Sequence, residues 1–458
     1  MAAVSPLIPP PAPAATAPNR SCAVRRTLWL TVYVVIVLAP LAFVPLAAYT
    51  REEASFGTVL AAGLGFTGLT IMALQMIVPS RARPFTVPFG ADLLLRFHRS
   101  IGQVAFFLVV GHIVVLMVDD ASRLSLFVFP EAPLRAKAGA IATLSLGLLV
   151  STSLWRKRFR LSYETWRLAH ILLGVMVLTG SIIHVLKVDK YLAVAPIRYS
   201  VIGLAFLAVA AILALRITRP LRARRRASYQ VTDVRREHGR ATTLELKPLG
   251  RPVPFHPGDF AWIKLCDRPL SLTEHPFSFS SSAERVDRVT FTIKDSGDFT
   301  GSVAGLQAGT KVLVDGPHGS FNPADPDAPY LLIAGGIGIT PAISTLRTFA
   351  DRDDHREVVL LYLNRTWDDI TFREELAELE DRLPNLRVVH VLSRPDESWK
   401  GPKGRISAEL LDSVLPKRAR RWNVFICASP QVTASALAAL DGAGFPREHV
   451  HAEQFVSA

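Results

Sequence analysis

Residues 92 to 118 read DLLLRFHRSIGQVAFFLVVGHIVVLMV, an apolar run with one histidine near each end. These histidines, His98 and His112, are 14 residues apart in the sequence. At a rise of ~1.5 Å and a turn of ~100° per residue, an α-helix places the two imidazoles roughly 21 Å apart and within about 40° of one face. The stretch therefore predicts one helix that carries two candidate ligands at two depths.

A second apolar run, from Tyr163 to Lys187, repeats this spacing with His170 and His184. A lone histidine in such a run can be an ordinary polar residue with a partner, but imidazole is costly in hydrocarbon and usually functional there. The repeated spacing predicts two parallel helices that pair His98 with His170 and His112 with His184. A directly bound metal ion would need further ligands, and the runs place no Cys, Asp or Glu beside these histidines. Two facing imidazoles suit a six-coordinate haem iron, so the pattern predicts two stacked haems.

Composition favours a membrane protein with soluble parts. The chain has 458 residues, of which 50% are hydrophobic, and a formal net charge of +13. Its basic residues cluster beside the apolar runs, which indicates contact with lipid headgroups and argues against nucleic acid. The three cysteines, Cys22, Cys266 and Cys427, lack paired or metal-ligand spacing. They indicate reduced surroundings without a disulfide framework.

Six apolar runs reach or approach the ~20 residues that a helix needs to cross a bilayer. They lie at 27–48, 56–79, 92–118, 136–155, 163–187 and 198–217. Residues 1–19 are rich in Pro and Ala, and we expect them to be disordered. A cleaved signal peptide is an alternative for the start of the chain, but the first run is long enough to be a retained anchor.

Lys and Arg at the ends of the runs predict their orientation. One set of connections has a strong basic excess: Arg20, Arg25 and Arg26, then Arg81 and Arg83, then Arg156, Lys157, Arg158 and Arg160, then Arg219, Arg222, Arg224, Arg225 and Arg226. The opposite set has a weaker one: Arg51, Glu52 and Glu53, then Asp119, Asp120 and Arg123, then Lys187, Asp189 and Lys190. We therefore expect both termini in the cytoplasm, with His98 and His170 at the inner level and His112 and His184 at the outer level of a plasma (inner) membrane.

The pattern changes after Ser228. Six short strands separated by turn residues predict a small antiparallel barrel: YQVTDV, TTLELKP, DFAWIKL, HPFSFSS, RVTFTIK and TKVLVDG. From Tyr330 onward, strands alternate with helical stretches, in the order YLLIAGG, PAISTLRTFA, EVVLLYLN, FREELAELEDRL and RVVHVLS. That alternation is typical of a parallel sheet wrapped by helices.

A glycine-rich turn follows the strand YLLI and opens a helix. It reads Ala334-Gly335-Gly336-Ile337-Gly338-Ile339-Thr340-Pro341. Glycines there allow the backbone to approach a pyrophosphate at a helix N-terminus. The turn departs from G-x-G-x-x-G because Thr340 and Pro341 stand where the third glycine would be. A plain strand-to-helix turn is the alternative interpretation.

Several short motifs occur in the order seen in ferredoxin-reductase-type flavoproteins. Besides the glycine turn they are His275-Pro276-Phe277-Ser278, Gly297-Asp298-Phe299-Thr300, Asp315-Gly316-Pro317-His318-Gly319, Cys427-Ala428-Ser429-Pro430 and Glu453-Gln454-Phe455. Joined to six helices with paired histidines, the chain resembles the ferric reductase and NADPH oxidase superfamily over nearly everything after residue 24. With a Pro/Ala-rich tail (1–24) that we expect to be disordered, the resemblance implies an all-α six-helix transmembrane di-haem bundle (25–220), a β-barrel FAD domain (221–325) and an α/β parallel-sheet NAD(P)-binding domain (326–458).

The resemblance also implies roles for the barrel residues. His275 would contact the phosphate or ribityl part of FAD, Phe277 would stack on the isoalloxazine, and Ser278 would hydrogen-bond near its reactive nitrogen. Pro276 would stiffen this strand. Gly297 and Thr300 would hold the FAD pyrophosphate, with Lys294 as a charge partner. An ordinary barrel strand and a solvated lysine are the alternatives.

In the last domain, the resemblance assigns Gly335, Gly336, Gly338, Thr340 and Pro341 to the pyridine dinucleotide. Cys427 would lie beside the nicotinamide, although a buried Cys at a strand end is also an ordinary core residue. Phe455 would cover the flavin until nicotinamide displaces it. Three residues follow Phe455 here, whereas many relatives end on or next to that aromatic residue. Arg365 follows the strand EVVLLYLN, where an acidic residue would indicate NADH, and it favours NADPH over NADH.

These roles together predict transfer of electrons from cytoplasmic NAD(P)H through FAD and two haems to an acceptor outside. Ferric chelates are the preferred acceptor, dioxygen reduced to superoxide is the alternative, and Asp119 and Asp120 could attract a metal near the outer haem. Two further alternatives are an electron-feeding subunit for a partner protein and a membrane-anchored flavin reductase without haem.

Overall fold

The computed structural model describes residues 20–49, 55–78, 89, 91–128, 131–188, 192, 194–218, 221, 227–265, 273–319 and 328–454. The chain divides into two compact units. One contains the six long helices, the short 3₁₀ helix Ala121–Phe127 and residues 273–274, and the other contains the strands and the remaining shorter helices. Residues 1–19, half of the flanking basic residues, Cys266 and Phe455 lie outside the described residues, so the expectation of a disordered tail stays a prediction. The four-part division of the chain and its boundaries stay predictions.

Six long helices form the first unit. They are α1 Arg20–Tyr49, α2 Phe56–Leu74, α3 Ala91–Asp119, α4 Leu134–Leu154, α5 Tyr163–Val188 and α6 Ala195–Ala211, which continues as the π-helical stretch Ile212–Thr218. Each contains a stretch long and apolar enough to cross a membrane, which confirms the prediction of six apolar helices. Large apolar side chains such as Phe107, Leu144 and Phe206 are exposed on this unit. An apolar surface of this kind suits a hydrocarbon environment.

Small residues bring neighbouring helices close together. A Cβ atom added at Gly180 of α5 would lie 3.0 Å from the carbonyl oxygen of Ala138 and 3.1 Å from the Cβ of Ala142, both on α4. In a bilayer, where apolar burial drives association weakly, such close backbone approach is a main source of helix packing. Buried side chains of all six helices, including Ile71, Ala105, Leu146 and Val177, fill the interior of the unit.

One ion pair within the helical unit involves a residue from far along the chain. Arg167 of α5 donates from Nη2 to Oε1 of Glu274 at 2.7 Å, and the two side chains are 17% and 6% exposed. Arg167 lies one helical turn before His170. This contact places Glu274 against the helix that carries His170.

The second unit begins with an antiparallel sheet. Its strands are β1 Ser228–Glu237, β2 Ala241–Pro248, β3 Phe260–Lys264, β4 His275–Ser278, β5 Val289–Lys294 and β6 Lys311–His318. The order β4-β3-β6-β1-β2-β5 leaves the sheet open, so the prediction of a closed barrel is wrong for the described residues. A single bridge, Phe279 to Phe291, joins the two edges. Strand β4 is only four residues long and contains Pro276, which has no N–H to extend a ladder on its free edge.

A parallel sheet wrapped by helices completes the unit, as the alternating pattern predicted. Its elements are β7 Tyr330–Gly335, α8 Ile339–Arg352, β8 Val358–Asn364, α9 Arg373–Arg382, β9 Leu386–Leu392, α10 Ala408–Val414, β10 Asn423–Ala428, α11 Pro430–Gly442 and β11 Val450–Gln454; the short helix α7 Asp298–Ser302 precedes β6. The strand order is β11-β10-β7-β8-β9, and every pairing is parallel. One apolar core lies on each face of the sheet. The carboxyl ends of β7, β8 and β10 therefore meet at one edge.

Gly180→Ala should destabilise the helical unit, because the added methyl group would press against Ala138 and Ala142. We expect a loss of about 1–3 kcal/mol, typical of overpacking, and a lower midpoint of thermal unfolding in detergent. Gly203→Ala is the matched control, since a Cβ at Gly203 of α6 meets nothing within 4 Å. Equal unfolding temperatures for the two variants would show that α4 and α5 do not pack this closely.

Candidate functional site

The structure brings the four histidines of α3 and α5 together in two pairs. The ring centroids of His98 and His170 are 6.1 Å apart, and those of His112 and His184 are 6.3 Å apart. The interplanar angles are 55° and 85°. The pairs are therefore those that the spacing in the sequence predicts, at two levels of the same two helices.

Each imidazole is held through its Nδ1 atom by a neighbouring helix or its end. His112 donates to the carbonyl oxygen of Ala61 at 2.7 Å, and His184 donates to that of Arg135 at 2.8 Å. Because a carbonyl oxygen only accepts, the proton of these two rings lies on Nδ1. A metal ion would then bind Nε2, and a fixed Nδ1 contact is the usual support of a metal-binding histidine.

The other pair is held by side chains. Nδ1 of His98 lies 2.6 Å from Oε1 of Gln75, whose Nε2 also donates to the carbonyl oxygen of His98 at 2.9 Å. Nδ1 of His170 lies 3.2 Å from Oγ of Ser153. Sequence reasoning missed both partners. Gln75 could have been found, since it is the one amide in the apolar run at 56–79.

Two glycines make room for the rings of the second pair. A Cβ at Gly65 of α2 would lie 3.0 Å from Nδ1 of His112, and a Cβ at Gly139 of α4 would lie 2.8 Å from Nδ1 of His184. Both rings therefore lie directly against the backbone of a neighbouring helix. Any side chain at these two positions would push an imidazole out of its place.

The separation of the rings fits one metal atom between each pair. Two metal–nitrogen bonds of about 2 Å, added to the radius of each imidazole, place the centroids about 6 Å apart. No group of three or more His, Cys, Asp or Glu side chains that could hold a metal ion occurs in the part of the chain that the structure describes. Each pair therefore offers at most two imidazole ligands from the described residues to a metal atom.

The acidic residues at the end of α3 are engaged in hydrogen bonds. Oδ2 of Asp119 accepts from Oγ of Ser55 at 2.7 Å and from Oγ1 of Thr58 at 2.9 Å. Arg123 approaches both Asp119 and Asp120 at 3.4 Å. These contacts tie the end of α3 to the start of α2. The two carboxylates are therefore used in the protein itself, which weakens the interpretation of Asp119 and Asp120 as a metal-attracting pair.

The motif at 275–278 forms β4 at the edge of the open sheet, paired with β3. The ring centroid of Phe299 lies 4.1 Å from that of His275. The rings of Phe299 and Phe277 are stacked, with their centroids 6.0 Å apart. Ser278 is buried, and its Oγ has no hydrogen-bond partner among the described residues. A buried hydroxyl without a partner is costly, so this group suits a bound ligand that would satisfy it.

The loop after β5 is fixed by its own hydrogen bonds. Thr300 donates from Oγ1 to the carbonyl oxygen of Gly297 at 2.9 Å and accepts from the backbone N–H of Ser296 at 2.9 Å. Its hydroxyl therefore shapes the loop. A Cβ at Gly297 would meet nothing within 4 Å, so open space lies beside that backbone. Lys294, at the end of β5, is half-buried.

The glycine turn and the Cys427 motif, far apart in sequence, pack against each other. A Cβ at Gly338 would overlap the carbonyl oxygen of Cys427, and a Cβ at Gly335 would lie 2.9 Å from the Cβ of Ala428. Gly336 adopts a φ of 55°, which favours glycine, and faces open space. The turn thus lies at the carboxyl edge of the sheet, against the end of β10.

A tyrosine that sequence reasoning missed supports this turn. Tyr362 of β8 donates to the carbonyl oxygen of Gly336 at 3.1 Å and accepts from the N–H of Thr371 at 3.2 Å. Burial raises the pKa of Tyr362 to about 12, so its hydroxyl keeps the proton that it donates. Thr340 donates to the carbonyl oxygen of Ile337 at 3.1 Å, and Pro341 follows within the first turn of α8.

Arg365 lies at the same edge, directly after β8. Its side chain is exposed, and its carbonyl oxygen accepts from the N–H of Arg394 at 2.8 Å. Cys427, at the end of β10, is 3% exposed. Phe455, the predicted cover of the flavin, lies outside the described residues.

Two family models match the chain. A ferric reductase like transmembrane component matches residues 64–181, and an oxidoreductase NAD-binding domain matches residues 332–437. The first includes His98, His112 and His170 and ends three residues before His184. The two matches confirm the resemblance to the fused ferric reductase and NADPH oxidase architecture.

Curated relatives match the reductase half of the chain. The ferredoxin reductase component of 3-ketosteroid-9-alpha-monooxygenase from Mycolicibacterium smegmatis is 32% identical over 238 residues, which are 50% of this chain and 65% of that protein. The glycine betaine monooxygenase reductase subunit of Chromohalobacter salexigens is 30% identical over 216 residues, 44% of this chain and 56% of that protein. The chain thus spans between half and two thirds of these two relatives. Among solved structures, a flavohemoglobin from Malassezia yamatoensis with bound FAD and heme has a TM-score of 0.49 at 20% identity, covering 88% of this chain and 99% of that one.

Gly338→Ala should disrupt the glycine turn, because the methyl group would overlap the carbonyl oxygen of Cys427. We expect NAD(P)H binding, measured by titration calorimetry on the full chain, to weaken at least about tenfold, or about 1.4 kcal/mol. Gly305→Ala is the control, since a Cβ there meets nothing within 4 Å. Unchanged NAD(P)H affinity in the Gly338 variant would show that the glycine turn is not part of the nucleotide site.

Proposed function

We propose that this protein carries electrons across a membrane. It is an oxidoreductase that joins a ferric reductase-like transmembrane component to an NAD-binding reductase module. Electrons would pass from NAD(P)H in the cytoplasm through FAD and two b-type haems to an acceptor on the outer side, ferric chelates first. The observation that carries this proposal is the geometry of the four histidines. Their rings form two pairs at 6.1 and 6.3 Å, and all four Nδ1 atoms have partners.

His98 and His170 would hold the inner haem, and His112 and His184 the outer one. When bound, a haem supplies a centre that takes and gives up one electron at a time. Gln75, Ser153 and the carbonyl groups of Ala61 and Arg135 fix the orientation of the four rings and increase the basicity of Nε2. Those contacts support a haem-binding role over that of isolated polar residues in a helix bundle.

The open edge of the antiparallel sheet would hold FAD, which accepts an electron pair as hydride and releases single electrons. Phe277 offers a ring to stack on the isoalloxazine, with Phe299 behind it. The buried hydroxyl of Ser278 would donate to the flavin near its reactive nitrogen. His275 would contact the phosphate or ribityl part, and Gly297, Thr300 and Lys294 would surround the pyrophosphate.

The glycine turn would hold the pyridine dinucleotide through Gly335, Gly336, Gly338, Thr340 and Pro341. Open space beside Gly336 and the N-terminus of α8 suit a pyrophosphate there. Cys427 would lie beside the nicotinamide, and Phe455 would cover the flavin in its absence. Arg365, exposed after β8, favours NADPH over NADH because its guanidinium could pair with a 2′-phosphate.

The acceptor would be reduced without binding iron, because two histidine ligands for each haem would leave no open coordination site on the iron. Ferric chelates are the proposed acceptor and dioxygen is the alternative. The proposed membrane is the plasma (inner) membrane, with both termini in the cytoplasm. The basic excess at 20–26, 81–83, 156–160 and 219–226 favours the cytoplasmic side for these segments.

Replacing His184 by Leu should remove one haem, because Leu cannot ligate iron and His184 is a proposed ligand of the outer haem. We expect haem content to fall from about two to about one per chain and electron transfer to an external acceptor to stop, while NAD(P)H still reduces the flavin. His355→Leu, at an exposed histidine of the reductase half, is the control. Survival of transmembrane activity in the His184 variant would refute a two-haem path.

Replacing Ser278 by Ala should slow flavin reduction by NAD(P)H about tenfold, the effect of one lost hydrogen bond of about 1.4 kcal/mol. The methyl group keeps the packing, so FAD content should hardly change. Stopped-flow absorbance of the flavin measures the rate. Ser435→Ala is the control, since the Ser435 hydroxyl is exposed and donates to the carbonyl oxygen of Gln431 within α11. An unchanged rate would argue against the role of the Ser278 hydroxyl.

A further inference from the structure

Buried hydrogen bonds join the segment that follows β4, the strand of the proposed FAD site, to α8, the helix that follows the glycine turn. Ser344 of α8 donates to the carbonyl oxygen of Ser281 at 2.7 Å. Thr348 of α8 accepts from the N–H of Ala283 at 2.9 Å. Ser344 and Thr348 are both fully buried. The contact lies a few residues from Ser278 on one side and from Gly338 on the other.

Arg347 lies at the centre of this contact. It donates from Nε and Nη2 to the two carboxylate oxygens of Glu375 on α9, at 2.6 and 2.7 Å. Its Nη1 donates to the carbonyl oxygen of Ser280. The guanidinium also lies 5.0 Å from the centroid of the Phe372 ring. One side chain, 17% exposed, therefore connects α8, α9 and the segment that follows β4.

The acceptor of this bond, Ser280, is itself held by the sheet. Its Oγ lies 2.8 Å from Oγ1 of Thr290 and accepts from Oγ1 of Thr292 at 3.0 Å. Its N–H donates to the carbonyl oxygen of Thr290 at 2.8 Å. Ser280 is fully buried, so its carbonyl group has little freedom to follow a moving guanidinium. Arg347 thus joins the helices α8 and α9 to a segment after β4 that is itself held by the sheet.

We propose that Arg347 is a positioning residue for hydride transfer, which sets the distance between the nicotinamide at the glycine turn and the flavin at Ser278. The inference rests on the proposed function, since it needs both cofactors at these places. Hydride transfer requires reacting atoms about 3–3.5 Å apart, and a displacement of about 1 Å costs roughly 100-fold in rate. The planar fork of arginine fits a carboxylate and a carbonyl group together, whereas a lysine cannot reproduce that geometry.

The test compares Arg347→Met with Arg352→Met in the full-length protein. Arg352, on the same helix, also reaches the other segment by pairing with Glu284 at 2.6 Å, but the two side chains are 50% and 46% exposed. An exposed pair contributes little, so Arg352→Met should stay within about twofold of the native rate. Arg347→Met should slow flavin reduction by NADPH about 10- to 100-fold in stopped flow while FAD content is retained.

A second readout separates positioning from a general loss of structure. The long-wavelength charge-transfer absorbance of reduced nicotinamide over flavin depends on their stacking, and it should be lost in Arg347→Met. Arg347→Lys and Glu375→Gln should each show an intermediate rate and a weaker band. These two variants also decide the outcome if Arg347→Met does not retain FAD.

Native rates and native charge-transfer bands in Arg347→Met, or in both milder variants, would overturn the inference. The native protein distinguishes this result from failure of the proposed function. If NADPH does not reduce a bound flavin in the native protein, the proposed function is wrong. If it does, and the variants match it, only the role of Arg347 is wrong.

Discussion

The helical unit depends on hydrogen bonds to the Nδ1 atoms of four histidines within apolar helices. An imidazole in such surroundings needs a partner, and each partner comes from the helix that precedes the histidine's own helix in the sequence, or from the end of that preceding helix. Ala61 and Gln75 serve the histidines of α3, and Arg135 and Ser153 serve those of α5. The helix pairs α2–α3 and α4–α5 are therefore the units that present the rings. The facing of α3 and α5 then creates both histidine pairs.

Small residues also allow close backbone packing in the reductase half. Glycines at the carboxyl edge of the parallel sheet allow the turn at 335–338 to lie against Cys427 and Ala428. Tyr362 holds that turn from the adjacent strand. On the other side of α8, hydroxyl groups and Arg347 attach the helix to the segment that follows β4. The places proposed for the flavin and the dinucleotide are thus joined by one short helix with buried polar contacts at its face.

Hydrophobic length, histidine spacing and strand alternation predicted the six apolar helices, the pairing of the histidines and the positions along the chain of nine of the eleven described strands. The hydrophobic period and the composition of a segment indicate which face of a helix or strand is buried, so these features can be predicted from the sequence. The open edge of the antiparallel sheet could not be predicted, because closure of the sheet depends on how far β4 pairs beyond Pro276. Partners across the fold, such as Gln75, Tyr362 and Arg347, were also missed. Their roles depend on tertiary contacts with residues 9 to 67 positions away in the sequence, and of the three only Gln75, the one amide in its apolar run, has a local signal.

The most direct test is an absorption spectrum of the purified, detergent-solubilised protein before and after anaerobic addition of NADPH, with haem and flavin quantified per chain. The account predicts two haems and one FAD per chain, with sharp haem bands that become reduced when FAD is present. A protein that contains flavin but no haem would contradict it. The paired histidines would then be structural, and the chain would be a flavin reductase attached to a membrane.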